Sequence, residues 1–204
     1  MNVMKEVLLT TLRNKNTGRA DFREATKKLG YVLAVQAAEY IQAKKVSFYT
    51  PLARTQGLAF AQPIMFVPIL RSGMALLPPF LQFFPEAYVG VIGIRRDEKT
   101  AKPKLYYKNW PRVVRDTQII ILDPMLATGG TLIATLSLLT KIKGFKEENI
   151  LFVGIVASPE GVMAVRDKFP KVKLIIAARD KKLNKHYFIV PGLGDFGDRY
   201  FGTE

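Results

Sequence analysis

Residues 119–131 read Ile-Ile-Ile-Leu-Asp-Pro-Met-Leu-Ala-Thr-Gly-Gly-Thr, and their order decides the fold. Four aliphatic residues end in a single carboxylate, Asp123. Pro124, Met125 and Leu126 lead into a small-residue loop of Ala127, Thr128, Gly129, Gly130 and Thr131, and an apolar-periodic segment follows. Buried strand, acid, glycine-bearing loop, helix is the order in which an α/β protein holds a phosphorylated ribose. The loop brings backbone N–H groups and hydroxyls to a helix N-terminus, where the helix dipole favours an anion. The acid stands at the carboxyl end of the strand, where open α/β sheets bind ligands, and it can accept hydrogen bonds from vicinal sugar hydroxyls.

The flanking pattern supports an α/β reading. Asp21 and Glu24 form a capping-box pattern, after which Phe22, Ala25, Leu29, Val32 and Leu33 recur at helical spacing and predict a helix over 21–42. Residues 63–70 are an apolar run too short for an independent helix, read as a buried strand that ends at Arg71-Ser72-Gly73. A helix over 74–84 follows, disturbed by Pro78 and Pro79. Residues 88–94 are β-rich. The polar, basic and aromatic stretch 95–111 is a long loop or a hairpin arm. Residues 119–122 form a strand, and 131–142 its helix, stopped by Gly144. Residues 150–157 form another strand. Ser158 as N-cap and Pro159 at the first position start a helix that runs to about Phe169, and 172–178 is the next strand. Residues 191–202 carry four glycines and read as a loop. Strands alternating with helices predict a parallel-rich sheet flanked by helices on both faces. No repeat or composition break divides the chain, so one domain over 1–204 is expected.

Composition narrows the function classes. The chain has 204 residues, 49% of them hydrophobic, enough for a real core. No run approaches the roughly 18 apolar residues of a membrane span, and the start lacks the pattern of a leader peptide. With no cysteine, disulfides and thiolate metal sites are excluded. The single histidine, His186, disfavours a zinc site or a Ser-His-Asp triad; it reads as structural, and Trp110 as a packing residue. A cytoplasmic location is the simplest expectation. The net charge of +14 suits polyanionic small molecules or nucleic acid, but there is no long basic tail and no aromatic-interleaved RNA motif.

Three further constellations carry chemistry. Arg71, at the end of a buried strand, suits pyrophosphate, because a guanidinium bonds phosphate oxygens bidentately; Ser72 and Gly73 let backbone approach a ligand. The basic stretch from Arg95 and Arg96 to Tyr106-Tyr107 reads as a mobile hood that closes over a polyanion. The run 189–199, Ile-Val-Pro-Gly-Leu-Gly-Asp-Phe-Gly-Asp-Arg, offers backbone N–H and C=O groups that can read the edge of a flat base.

Together these motifs resemble those of the type I phosphoribosyltransferases. Most members place two adjacent acids after the strand. Asp123-Pro124 departs from that pattern, and the Asp-Pro-Met-Leu-Ala-Thr-Gly-Gly form is similar to uracil phosphoribosyltransferase. The resemblance implies transfer of phosphoribosyl from 5-phospho-α-D-ribose 1-diphosphate (PRPP) to uracil, in pyrimidine salvage, with Mg²⁺ bound through PRPP. It assigns Arg71, Arg96, Asp123, residues 124–131 and Asp195 to PRPP, and Ile189, Gly194, Asp195 and Phe196 to uracil. Asp123, Arg71 and Asp195 are the expected catalytic residues. It also implies a non-proline cis peptide beside Arg71, a homo-oligomer (dimer or tetramer) and, as in some members, activation by GTP. Arg95, Glu98 and Lys99 depart from the hood pattern. Two alternatives stay open: a regulatory relative that binds RNA, which the single acid and complete base loop disfavour, and a transferase for another base.

Overall fold

Helically spaced apolar residues open the chain. The structure, a computed structural model, describes residues 3–96, 103–111, 116–142 and 145–203. Helix α1 (Val3–Arg13) buries Leu8, Leu9 and Leu12, and α2 (Arg19–Ala38) buries Phe22, Ala25, Leu29 and Leu33. The N-cap of α2 is Gly18. Asp21 therefore lies inside the first turn, where its charge suits the helix dipole, and the Asp21–Glu24 pattern is not a capping box. Strands β1 (Ala43–Tyr49) and β2 (Arg54–Phe60) pair as an antiparallel hairpin with six of seven residues exposed in each. That segment carries no period because neither face is buried.

Strand β3 (Ile64–Leu70) is almost wholly buried. A one-turn 3-10 helix, Ser72–Ala75, and helix α3 (Leu77–Phe83) replace the single helix expected over 74–84. Pro78 and Pro79 sit in the first turn of α3, where a missing N–H costs little; they start the helix rather than disturb it. Strands β4 (Tyr88–Val89) and β5 (Val91–Arg96) follow, and β6 (Pro103–Asn109) returns antiparallel to β5, so 95–111 includes a hairpin arm. Next come β7 (Gln118–Leu122), β8 (Met125–Leu126), α4 (Gly130–Leu139), β9 (Ile150–Ala157), α5 (Pro159–Lys168) and β10 (Lys173–Arg179). A small hairpin joins β11 (Lys182–Leu183) to β12 (Ile189–Val190). Helix α6 (Phe196–Phe201) stands where only a loop was expected. Its cause is local: the Asp195 carboxylate accepts the Asp198 N–H at 3.0 Å, and the Phe196 ring is buried. The Arg96 side chain, residues 97–102 of the hood and the expected helix stop at Gly144 lie outside the described residues.

The main sheet has the order β10-β9-β7-β3-β5-β6. Its first five strands are parallel and β6 is antiparallel at the edge. Alternation sends Phe66, Ile120, Leu122 and Val153 to the face covered by α1–α3. Met65, Val67, Ile119, Ile121 and Phe152 go to the face covered by α4 and α5. Burial on both faces is why these strands read as continuous apolar runs, and each large side chain so buried contributes about 1.5–3 kcal/mol. The chain passes from β3 to β5 in one direction and from β7 to β9 and β10 in the other. Strand order thus reverses between β3 and β7, and a crevice opens beyond their carboxyl ends. Among the described residues no helix is long and apolar enough to cross a membrane.

Candidate active site

Asp123 follows β7 and stands at that crevice. Its N–H donates to the Val153 carbonyl (3.1 Å), and its Oδ1 accepts a long bond from the Met125 N–H (3.4 Å). Pro124 has no N–H to place; its carbonyl accepts from Ile155 and Val156 (2.9 and 3.0 Å). Strand β8 then lies parallel along β9. The Ser158 N–H donates to the Leu126 carbonyl (3.0 Å), and Ser158 Oγ donates to the Ala127 carbonyl (2.6 Å) while capping α5 through the Gly161 N–H. The loop is thus braced from behind by β9 and α5. Gly129, the N-cap of α4, has no side chain to satisfy the first-turn N–H groups, a role an anion can fill. Asp123, Met125–Gly129 and Thr131 border a recess of about 50 Å³.

Burial pushes the Asp123 carboxyl from 3.8 up to about 7, against the lowering effect of the Met125 N–H. An anion stripped of water is disfavoured unless donors replace the water. Hydrogen-bond donors brought to this carboxyl would favour its anion.

Arg71 follows β3 on the other side of the crevice, and its peptide bond from Leu70 is cis, as expected beside Arg71. A Cβ on Gly73 would stand 2.2 Å from the Leu122 carbonyl oxygen. Glycine there lets this turn pack backbone to backbone against the end of β7, next to Asp123. The Arg71 guanidinium is exposed and lies 5.6 Å from the centre of the Phe201 ring, which links the turn to α6.

A cavity of about 360 Å³ joins these parts to the end of the chain. Asp123, Met125, Ala127 and Ser72 line one side, and Ile189, Gly194, Asp195 and Phe196 the other. The Phe196 ring turns away into the core, 5.4 Å from Phe22 and 5.6 Å from Tyr200. His186, Tyr187 and Phe188, at the tip of the β11–β12 hairpin, complete the wall. His186 is thus exposed on the cavity rather than structural; the Asn184 carboxamide oxygen holds the N–H groups of His186 and Phe188, each at 2.9 Å. At the arm, Pro103 Cδ lies 3.9 Å from where a Cβ on Gly130 would stand, so the root of β6 rises beside the loop of α4. The Arg96 backbone pairs with Pro103.

A family model described as uracil phosphoribosyltransferase matches residues 2–203. The chain belongs to the uracil phosphoribosyltransferase family. It is 42% identical over 197 residues to a uracil phosphoribosyltransferase of Limosilactobacillus reuteri, covering 96% of this chain and 93% of that one. The solved structure of the AQ2163 protein from Aquifex aeolicus superposes with a TM-score of 0.91 at 34% identity, over 100% of this chain and 97% of that one. A purine phosphoribosyltransferase from Pyrococcus horikoshii, 15% identical, superposes with a TM-score of 0.51 over 77% and 84% of the two chains, which shows a shared type I phosphoribosyltransferase fold alone.

The family resemblance implies Mg²⁺, and the donor set fits it. Asp123 and Asp195 both open on the cavity, while among the described residues no three His, Asp or Glu side chains gather as a metal cage. One or two carboxylates combined with substrate phosphates is how magnesium is commonly held. Ser158 was legible as a helix cap, but its bond to Ala127 follows no sequence pattern.

Proposed function

We propose that the protein transfers the phosphoribosyl group of PRPP to uracil, forming UMP and diphosphate. The carrying observation is that Asp123 and the 189–196 segment line one cavity, with Arg71 across the strand-order reversal. In this reading the bond from ribose C1 to the diphosphate oxygen breaks, the bond from C1 to uracil N1 forms, and the N1 proton leaves to solvent. Arg71 and Arg96 hold the departing diphosphate. Asp123 accepts the ribose hydroxyls, residues 124–131 cradle the 5′-phosphate, and Asp195 orients PRPP beside the base. Backbone groups of Ile189, Gly194 and Phe196 read uracil. Cytosine replaces one acceptor with an amino donor and leaves polar groups unpaired, which strongly disfavours it. Positioning and charge supply most of the acceleration in such a site. Bound Mg²⁺ would neutralise charge on the diphosphate.

The proposal includes a cytoplasmic location and a homo-oligomer, dimer or tetramer; the second is supported by Tyr49, Leu52 and Leu58 exposed on the β1–β2 hairpin. The test is diphosphate release from PRPP and Mg²⁺ with uracil, cytosine, hypoxanthine or adenine, with and without GTP. Release with uracil alone is expected; release with a purine alone would refute the assignment.

A further inference from the structure

A base reader made of backbone works only if its peptide groups are held still, and beyond Pro191 the turn runs through Gly192 and Gly194, both at positive φ (63° and 81°), which add little stiffness of their own. The stiffness comes from outside the cavity. Asp180, directly after β10, is 8% exposed, and its N–H is fixed on the Ala157 carbonyl (2.8 Å). Its Oδ2 accepts the Gly192 N–H at 2.8 Å. Arg13, the last residue of α1, forks onto the same carboxylate at 2.9 and 2.6 Å, and its Nη1 also donates to the Gly192 carbonyl at 2.7 Å. One ion pair therefore grips both polar groups of a single residue. Gly192 fills its place without slack, since a Cβ there would stand 2.1 Å from the Ile189 carbonyl oxygen. Arg199 holds the next residue, donating to the Leu193 carbonyl at 2.7 Å and, from its other nitrogen, to the Asn14 carbonyl at 2.7 Å.

We infer that Arg13 and Asp180 are positioning residues for base recognition: they fasten the turn between Ile189 and Gly194 to the ends of α1 and β10 and so set both the affinity for uracil and the rejection of cytosine. Neither lines the cavity. The inference rests on the proposed reading of 189–196 as the base site. A preorganised site rejects a mismatched ligand because its groups cannot rotate to pair with it. Once the turn is loose, peptide groups can swing to meet the amino group of cytosine, and discrimination erodes.

The test uses Asp180→Asn, nearly isosteric, and the double variant Arg13→Met with Asp180→Leu. The double variant removes the pair without leaving a lone buried charge, the outcome that most endangers folding. Hydrogen exchange on the unliganded protein should show the 189–195 amides exchanging roughly tenfold faster or more, with the β7 and β9 amides unchanged. In steady-state assays the uracil KM should rise about 10- to 100-fold, the PRPP KM should stay within about twofold, and the uracil-to-cytosine ratio of kcat/KM should fall. A merely structural pair would instead move both KM values together or lower Tm alone, and that result, or unchanged exchange at 189–195, overturns the inference. Exchange needs no substrate, so it judges the clamp even if wild-type protein fails to use uracil, a failure that would fall on the proposed function.

Discussion

Replacing Asp123 with Asn should separate stability from activity. Burial moves the carboxyl from 3.8 to about 7, a difference of roughly 4 kcal/mol between its two protonation states at ~1.4 kcal/mol per pKa unit. The native state holds the proton more tightly than the unfolded chain does. The destabilisation is therefore absent below the unfolded value, grows as pH rises between the two, and is complete above about 7. Asparagine has the same shape and no anion to desolvate. The side chain opens on the cavity, where solvent screens part of the effect, so the variant should gain about 1–2 kcal/mol over wild type at pH 8, some 2–8 °C in Tm, and distinctly less at pH 5. Turnover should move the other way. Each charge-assisted hydrogen bond from a ribose hydroxyl contributes about 1.5–3 kcal/mol; Asn keeps one acceptor oxygen but no charge, so kcat/KM for PRPP should fall by at least roughly 10-fold and at most about 10⁴-fold, the loss of both bonds. Thermal melts at the two pH values, beside diphosphate release, decide the matter. A Tm difference independent of pH would refute the desolvation argument, and near wild-type UMP synthesis would remove Asp123 from its role.

Three of the remaining expectations concern the PRPP side of the cavity, and one joins it to the fold. The pH profile of kcat/KM for PRPP should show an ascending limb near pH 7 from Asp123; the shape of the Asp123→Asn profile should keep any limb from the substrate's own phosphates but lose this one, and the same limb in the variant is the contrary result. Arg71→Ala should raise the PRPP KM about 10- to 100-fold with little change in the uracil KM, so an unchanged PRPP dependence counts against the pyrophosphate assignment. Gly73→Ala places a methyl 2.2 Å from the Leu122 carbonyl oxygen, and kinetics should show Arg71 and Asp123 failing together, as a loss in kcat as well as KM. Ser158→Ala removes the α5 cap and the brace on Ala127; a cap contributes about 1 kcal/mol, and calorimetry should find Tm about 2–4 °C lower, with a weaker grip on PRPP.

The strands that bury both faces were legible because burial on both sides leaves them almost wholly apolar: 63–70, 119–122 and 150–157 each correspond to a strand within a residue or so. Ser158-Pro159 marked the start of α5 for the same local reason. What escaped was structure that leaves no apolar period in the chain. The β1–β2 hairpin hides no face, so it leaves no period. Helix α6 is short, and its cap and buried ring lie within a glycine-rich run. The candidate site divides likewise. Asp123, Arg71 and 189–196 could be picked out because each follows a strand or fills a recognisable loop, whereas Asp180 joins Arg13 across 167 positions and looks, in the chain, like any surface acid.

Strand β6 closes the sheet on one side with all seven residues exposed. An open strand edge is a template on which another chain can add itself. Pro103 removes one donor from that edge, and Lys104 and Lys108 set positive charges along it, devices that keep exposed edges from pairing. Part of the +14 charge thus acquires a role unrelated to any ligand: it discourages pairing at an exposed sheet edge.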